Sequence, residues 1–392
     1  MNIELLKSRI QHLDQIIQDD HYAGYDPFDG LNSALLRYIP LPGVYSKIAW
    51  IQFFKKFPIN LRPVFFIQKG INPKAMGLFL SGYCALYKTC NEPKYLRSAL
   101  SIADWLMKNK SPGYSGDCWG YNFNWQNRVF YLPANTPTIV GSSFIGHGFL
   151  DLFEITSDIK YLEIAVSITE FMRNDLHITK TPNQGMCFSY TTVDQSMVHN
   201  ANLLGAGFIA RTHNFTGKKE FTELAENAAS YTIQHQHDDG SWFYAETKIQ
   251  SWIDSFHTGY ILRSLQHLVN ATGNAFYQHA IEKGLSFFID NFISSDGCVK
   301  YYHNNRDPID IHCFAEALTT CATFIHNAKC KEAIPKILHF LENNMLSQKG
   351  YYIYRIGKVK KNKTHYMRWS SAWMFCSLAL ILQKYFQTDI QT

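Results

Sequence analysis

One unit returns four times along this chain: an apolar run, a short polar link, then an aromatic residue followed four positions later by Ala on an amphipathic run. The copies are "TCNEPKYLRSAL", "ITSDIKYLEIAV", "FTGKKEFTELAE" and "ATGNAFYQHAIE", and their alanines are Ala99, Ala165, Ala225 and Ala280. The period of about 55 to 66 residues is longer than that of the common short solenoids. Each period therefore holds a helical hairpin and a substantial loop. The run before each link is the more apolar one, at 73–88, 138–155, 197–213 and 255–269, with two further runs at 310–325 and 368–386. Helices apolar on all sides belong in an interior, and the charged helices between them keep one wet face.

Six buried helices alternating with outer ones predict an all-α fold, an (α/α)6 toroid formed as a single domain over residues 1–392. Residues 1–70 are expected to complete the outer layer, although 20–70 is the least regular stretch, with turns at "YDPFDGLNS" and "YIPLPG". No linker, low-complexity tract or composition break interrupts the period. Small residues such as Gly77, Ser81, Gly82, Gly205, Ala206 and Gly207 predict close approach between inner helices.

Composition narrows the function. The chain is 46% hydrophobic and 15% aromatic, so it buries a large core and has rings to spare for a ligand cleft. The formal charge of +5 is spread along the sequence, and "GKVKKNK" (357–363) reads as a solvated hairpin loop. Without a basic stripe or a recognition motif, no nucleic-acid partner is expected. Nine cysteines without Cys-x-x-Cys spacing fit a reducing, cytoplasmic setting. The run "WMFCSLALIL" is too short to span a bilayer, so no transmembrane segment is expected and membrane association would be peripheral to the inner membrane.

In such a ring the loops before the inner helices open onto one end, so polar residues at the helix N-termini converge on a cup. Asp254 and His257 stand at the fourth inner helix, Asp310 and His312 at the fifth, and His199 and Asn200 at the third. Each Asp reads either as a helix cap or as an acid/base group, and each His either as an interior residue or as a proton carrier. Three consecutive inner helices beginning with His favour the chemical reading. The expected catalytic set is Asp254, His257, His199, His312 and Asp310. Sugar-binding candidates are Trp119, Tyr121, Trp125, Arg128, Tyr190, Asn200, Trp242, Glu246, Lys300, Tyr302, Arg368 and Trp369. Paired carboxylates would suit glycoside hydrolysis, whereas His or Tyr bases with an Arg on a carboxylate would suit uronate epimerisation or elimination. No cofactor or metal is called for.

Taken together, "CWGYNFNWQNR", "TPTIVGSSFIG", "VHNANLLGA", "QHDDGSWFYAE", "WIDSFHTGYIL", "KYYHNNRDPIDIHCFAEAL" and "MRWSSAWMF" resemble a bacterial family of the six-hairpin glycosidase-like superfamily, the polysaccharide biosynthesis proteins of the Vps-J type. The resemblance runs from about residue 20 to 385. It implies the toroid and a role in exopolysaccharide, capsule or O-antigen synthesis. The partners would be a polysaccharide or lipid-linked oligosaccharide and the glycosyltransferases of the pathway. "RWSSAW" is also similar to a segment of unsaturated glucuronyl hydrolases, with Ser370 and Ser371 in place of the usual Gly-Gln.

Two other toroid chemistries fit poorly. Gln236, Gly240 and Trp242 reproduce one Gln-Gly-Trp repeat of terpene cyclases, but the Asp-x-Asp-Asp and Asp-Asp-x-x-Asp motifs are missing, so the repeat reads as a turn closing an outer helix on its neighbour. Lanthionine cyclases hold zinc with two Cys and a His; Cys118, Cys187, Cys313 and His312 lack the spacing for that. A non-catalytic glycan-binding or assembly factor is the alternative from a different class.

Overall fold

The computed structural model describes residues 3–182 and 185–389, so the outermost residues of the expected 1–392 domain lie outside the described residues. Helices α1 (Ile3–Asp19) and α2 (Gly43–Lys56) come first. Three hairpins follow: α3 (Pro73–Cys90) with α4 (Pro93–Lys108), α5 (Ile139–Thr156) with α6 (Ile159–Asn174), and α7 (His199–Thr216) with α8 (Lys219–Gln234). Then come α9 (Ser255–Thr272) with α10 (Ala275–Phe292), α11 (Ile311–Thr323) with α12 (Ala328–Asn344), and finally α13 (Trp373–Asp389).

The odd-numbered helices from α3 to α13 form the inner ring. Each packs on the next, and α13 packs back on α3, which closes it. Helices α4, α6, α8, α10 and α12 lie outside, and α1 packs on α13 as the sixth outer helix. This is the expected all-α (α/α)6 toroid.

The repeated motif is the link between inner and outer helix. Helices α3, α5, α7 and α9 end on Asn91, Ser157, Gly217 and Gly273, all in the left-handed region with φ between 54° and 67°. A left-handed residue there satisfies the last helical carbonyls and turns the chain back within two residues. Asp158 and Asn274 then cap the following helices through their side chains. The repeat aromatics Tyr95, Tyr161 and Phe221 are buried as expected, with the alanines four residues on. The fourth copy departs from the pattern: Phe276 is 56% exposed and Tyr277 is the buried ring, because α10 starts one residue later relative to its Ala.

Inner helices touch where they have no side chain. A Cβ on Gly77 would lie 2.8 Å from Cα of Ile145 in α5, and one on Gly207 would lie 2.8 Å from Cα of Ser264 in α9. Helices this close pack backbone on backbone, so an added methyl has to push the ring apart. Gly207→Ala should cost about 1–3 kcal/mol, read as a lower urea midpoint.

Candidate active site

The loop end of the ring is ordered by a repeated backbone contact. The first residues of α5, α7, α9 and α11, namely Ile139, His199, Ser255 and Ile311, donate their N–H to the carbonyls of Tyr190, Tyr244, Tyr301 and Tyr354, at 3.0 to 3.1 Å. Each of these tyrosines lies in the loop that precedes the next inner helix. Each of these four loops is thereby fastened to the neighbouring helix start.

Asp254 caps α9. Its Oδ1 accepts the backbone N–H of His257 at 3.0 Å, and its Oδ2 accepts from Trp252 Nε1 at 2.8 Å and from His257 Nδ1 at 2.7 Å. A carboxylate bonded at Nδ1 selects the tautomer whose Nε2 carries the lone pair. No described residue bonds that Nε2. The His257 side chain is 21% exposed, while those of His199 and His312 are sealed. Asp254 and His257 therefore form an oriented base with its reactive nitrogen available, flanked by the rings of Tyr244 and Phe256.

Asp310 also caps its helix, but all its capacity is used. Oδ1 accepts from the backbone of His312 at 3.1 Å and from Trp369 Nε1 at 2.8 Å; Oδ2 takes Arg355 through Nε at 2.9 Å and a terminal nitrogen at 2.6 Å. The side chain is fully buried. This carboxylate is an anchor for the Trp369 indole, so its expected acid/base role is corrected to a positioning one.

His312 stacks on Trp369, with centroids 4.3 Å apart, and meets Trp373 and Phe256 edge-on. Its Nε2 lies 2.6 Å from Tyr260 Oη, and Nδ1 is buried without a partner. Burial, helped by the charges of Lys74 and Arg368, holds the imidazole well below the usual histidine range, so it is neutral. His257 and His312 both border Phe256 and Tyr260.

His199 is not part of this group. It points between α7 and α8, with Nε2 on Glu246 at 2.8 Å and its ring stacked on Tyr231. Burial lowers its pKa even though Glu246 opposes the shift, and the bond to His199 lowers that of Glu246. The expectation that His199 flanks the same reacting sugar as His257 is corrected accordingly. Asn200, beside Asp254 and His257, has a buried Oδ1 without a partner.

The proposed sugar platforms divide. Tyr121, Trp125 and Tyr190 form one aromatic wall with Phe28, Phe123 and Phe130. Trp119 and Trp242 are sealed inside the hairpins, where each indole N–H donates to a carbonyl at the end of an outer helix, Leu106 and Thr232. Neither offers a face to a sugar. Gln236 bonds the carbonyls of Gly240 and Ala280, so the Gln-Gly-Trp turn does tie α8 to α10. Arg128 is exposed on the rim, reaching the Ile249 carbonyl, and Lys300 bonds within its own loop to the His303 carbonyl. Tyr302, half-buried, bridges its backbone to Asp254.

Arg368 is already neutralised. Asp26 holds it in a bidentate, buried pair at 2.6 and 2.8 Å, so the carboxylate expected from a substrate is supplied by the protein itself. Asp26, Arg355, Lys55 and Lys74 were not legible as site residues, since each is remote in sequence or inside an ordinary helix. Lys74 sits over Phe144, Tyr260 and Trp373 at 4.4 to 5.6 Å, and Lys55 of α2 lies 4.3 Å from the Phe28 ring centre and 5.8 Å from that of Trp369. Neither forms an ion pair with a described residue. Burial lowers Lys74 well below its ordinary value and brings Lys55 to about 7, with Arg355 adding to the latter.

A cavity of about 1110 Å³ opens at the opposite end of the ring. It is lined by the C-terminal halves of the inner helices, including stacked His147 and His267, with Arg211 and Arg263 paired to Asp151, Glu154 and Glu316. Volume and acid/base chemistry thus lie at different ends; chemistry locates the candidate site, because Arg211 and Arg263 of the cavity are already paired with carboxylates. Among the described residues no cluster of His, Cys, Asp and Glu is placed to hold a metal, and no helix is long and apolar enough to cross a membrane.

No family model and no curated protein matches the sequence. Solved structures do. A sugar epimerase from a ruminal bacterium aligns with a TM-score of 0.66 at 10% identity, over 97% of this chain and 98% of its own. A polysaccharide lyase aligns at 0.61 and 11% identity, over 100% and 99%. A family 88 glycosyl hydrolase from Bacteroides vulgatus aligns at 0.62 and 10% identity, over 99% of each chain. The chain thus shares the (α/α)6 toroid fold of these structures.

Arg355→Met would strand the Asp310 carboxylate in the interior. The expected loss is about 3–5 kcal/mol, checked by thermal and urea unfolding.

Proposed function

We propose that this chain is an acid/base enzyme acting on an acidic glycan during bacterial surface-polysaccharide production, moving a proton at a sugar carbon as an epimerase or lyase does. The observation that carries the reading is the Asp254–His257 pair: an imidazole oriented through Nδ1, with Nε2 unbonded and the ring partly exposed. Hydrolysis needs two carboxylates free to act across a glycosidic bond. Asp310 is saturated and Asp254 is committed to His257, so hydrolysis has less support.

In this reading His257 Nε2 takes the proton and Asp254 stabilises the imidazolium that forms. His312 and Tyr260 form the adjoining face, with half-buried Trp125 of the aromatic wall as the stacking surface. An acidic substrate is supported by charge balance. Asp26 answers Arg368 and Asp310 answers Arg355, which leaves Lys55 for an anion. Polysaccharide or its lipid-linked precursor is the substrate class, glycosyltransferases of the pathway are the partners, and the cytoplasmic side of the inner membrane is the location.

The test is proton NMR of uronate-containing oligosaccharides with the protein in deuterated water. Deuterium entering at C5 supports the proposal, and an unsaturated product identifies elimination; new reducing ends without exchange overturn it in favour of hydrolysis. Asp254→Asn should lower kcat about 10²- to 10⁴-fold with the helix still capped, because Asn accepts the same backbone N–H.

Binding should also depend on pH. Lys55 loses its proton as pH rises through about 7, and only the protonated form attracts an anion, so affinity for a uronate oligosaccharide should fall across that range. Calorimetric titration at several pH values checks this, and Lys55→Met should flatten the profile.

A second reading, a non-catalytic glycan-binding or assembly factor, is favoured by the closed packing of His312 and Trp369, which are 1% and 7% exposed. It requires His257→Gln to leave polymer production unchanged.

A further inference from the structure

The net charge of this chain is unevenly placed. The sequence has 32 Asp and Glu residues, yet none falls between Gly30 and Asn91 and none between Asn343 and Thr388. The fold brings parts of these two acid-free segments together at the loop end of the ring. Asn362 Nδ2 donates to the Phe57 carbonyl at 2.9 Å, and Arg62 donates to Tyr366 Oη at 2.8 Å. The two-residue strands Arg355–Ile356 and Lys361–Asn362 form a hairpin beside α2, with Lys358, Val359 and Lys360 at its tip.

The same region holds most of the misplaced apolar surface. Seventeen large hydrophobic side chains are exposed among the described residues, and nine of them lie between Tyr38 and Phe66. That concentration distinguishes a patch from the scattered exposure normal on any surface. Tyr45 is 86% exposed, Tyr38 84%, Ile39 67%, and Ile59 and Val64 66% each; Val359 at the hairpin tip reaches 89%. Helix α2 is turned accordingly: Tyr45, Ala49 and Phe53, four apart and so on one face, are its exposed side, while Ile51 and Phe54 are buried. Basic groups border the rings. Lys47 lies 4.6 Å from the Tyr131 ring centre, and Arg37, Lys56, Lys358 and Lys360 are exposed.

Exposed aromatic and aliphatic side chains bordered by lysines, with no acid in either segment, are what an interfacial anchor requires: rings enter the headgroup region while ammonium groups meet lipid phosphates. We propose that this face docks on an anionic phospholipid bilayer. A soluble acidic polymer would satisfy the lysines but leave Tyr45, Ile39 and Val359 in water, so the lipid surface is the better complement. The proposal deepens the inner-membrane location given above and rests on the exposed face alone, so failure of the sugar chemistry would leave it standing. It would also hold the cup near the membrane, because Lys55 of the same helix lies over Phe28 and Trp369.

The test is flotation of the full chain with vesicles of phosphatidylcholine alone and of phosphatidylcholine mixed with phosphatidylglycerol, read without any turnover. Binding should require phosphatidylglycerol and weaken as salt is raised. Lys358→Gln with Lys360→Gln should lower the partition coefficient about 25-fold, at about fivefold per lysine. Ile39→Ser with Tyr45→Ser should abolish flotation, with the circular dichroism melt unchanged because both side chains are solvent-exposed. Equal binding to both vesicle types, binding to neither, or capture only by a soluble polyuronate would each overturn the proposal.

Discussion

The working end of this molecule depends on one backbone contact made four times: the first amide of an inner helix bonded to a tyrosine carbonyl in the next loop. A helix N-terminus has amides without intrahelical partners, and burying them unpaired would be costly. Borrowing a carbonyl from the neighbouring loop satisfies one of them and fixes that loop in the same step. The ring consequently sets the position of its loops, and residues more than forty apart in sequence, such as Asp310 and Arg355, meet at bonding distance. Without these contacts Asp254 would still cap α9, but Trp252 and Tyr244 would not be held against His257.

Directing inner-helix N-termini toward one end also concentrates the positive ends of their dipoles there. The structure meets that field with Asp254, Asp310 and Asp26, and two of these carboxylates are matched with arginines. What distinguishes the carboxylates from one another is the partner each acquires. Asp310 gains Arg355 and an indole, which fill its oxygens; Asp254 gains an indole and the Nδ1 of a histidine whose Nε2 no described residue bonds.

Much of the fold was legible because it repeats. The left-handed link residues, the buried aromatic on the outer helix and the Ala behind it mark each hairpin, and the six apolar runs fall on the six inner helices. The slip at Phe276 and Tyr277 shows the limit: two adjacent aromatics fit the pattern, and only the helix start at Ala275 decides which is buried. The candidate site was legible only in part. Asp254 and His257 share a single helix turn, so their spacing alone nearly dictates their contact. His199 looked equivalent to His257 by position, yet it faces an outer helix. Trp119 and Trp242 looked like sugar platforms and serve as hairpin braces.

By itself the sequence determined the helical periodicity, the hairpin links, the alternation of buried and wet helices, and the Asp-His spacing at the start of α9. These are local properties, set by residues within a turn or two of one another. Only the tertiary structure decided that Asp26 occupies Arg368, that Arg355 occupies Asp310, that Lys55 and Lys74 pair with no carboxylate among the described residues, and that parts of two acid-free segments meet. Each of those outcomes joins residues brought together by ring closure, and the pairing of charges in a buried space depends on which groups arrive there, which no local pattern specifies.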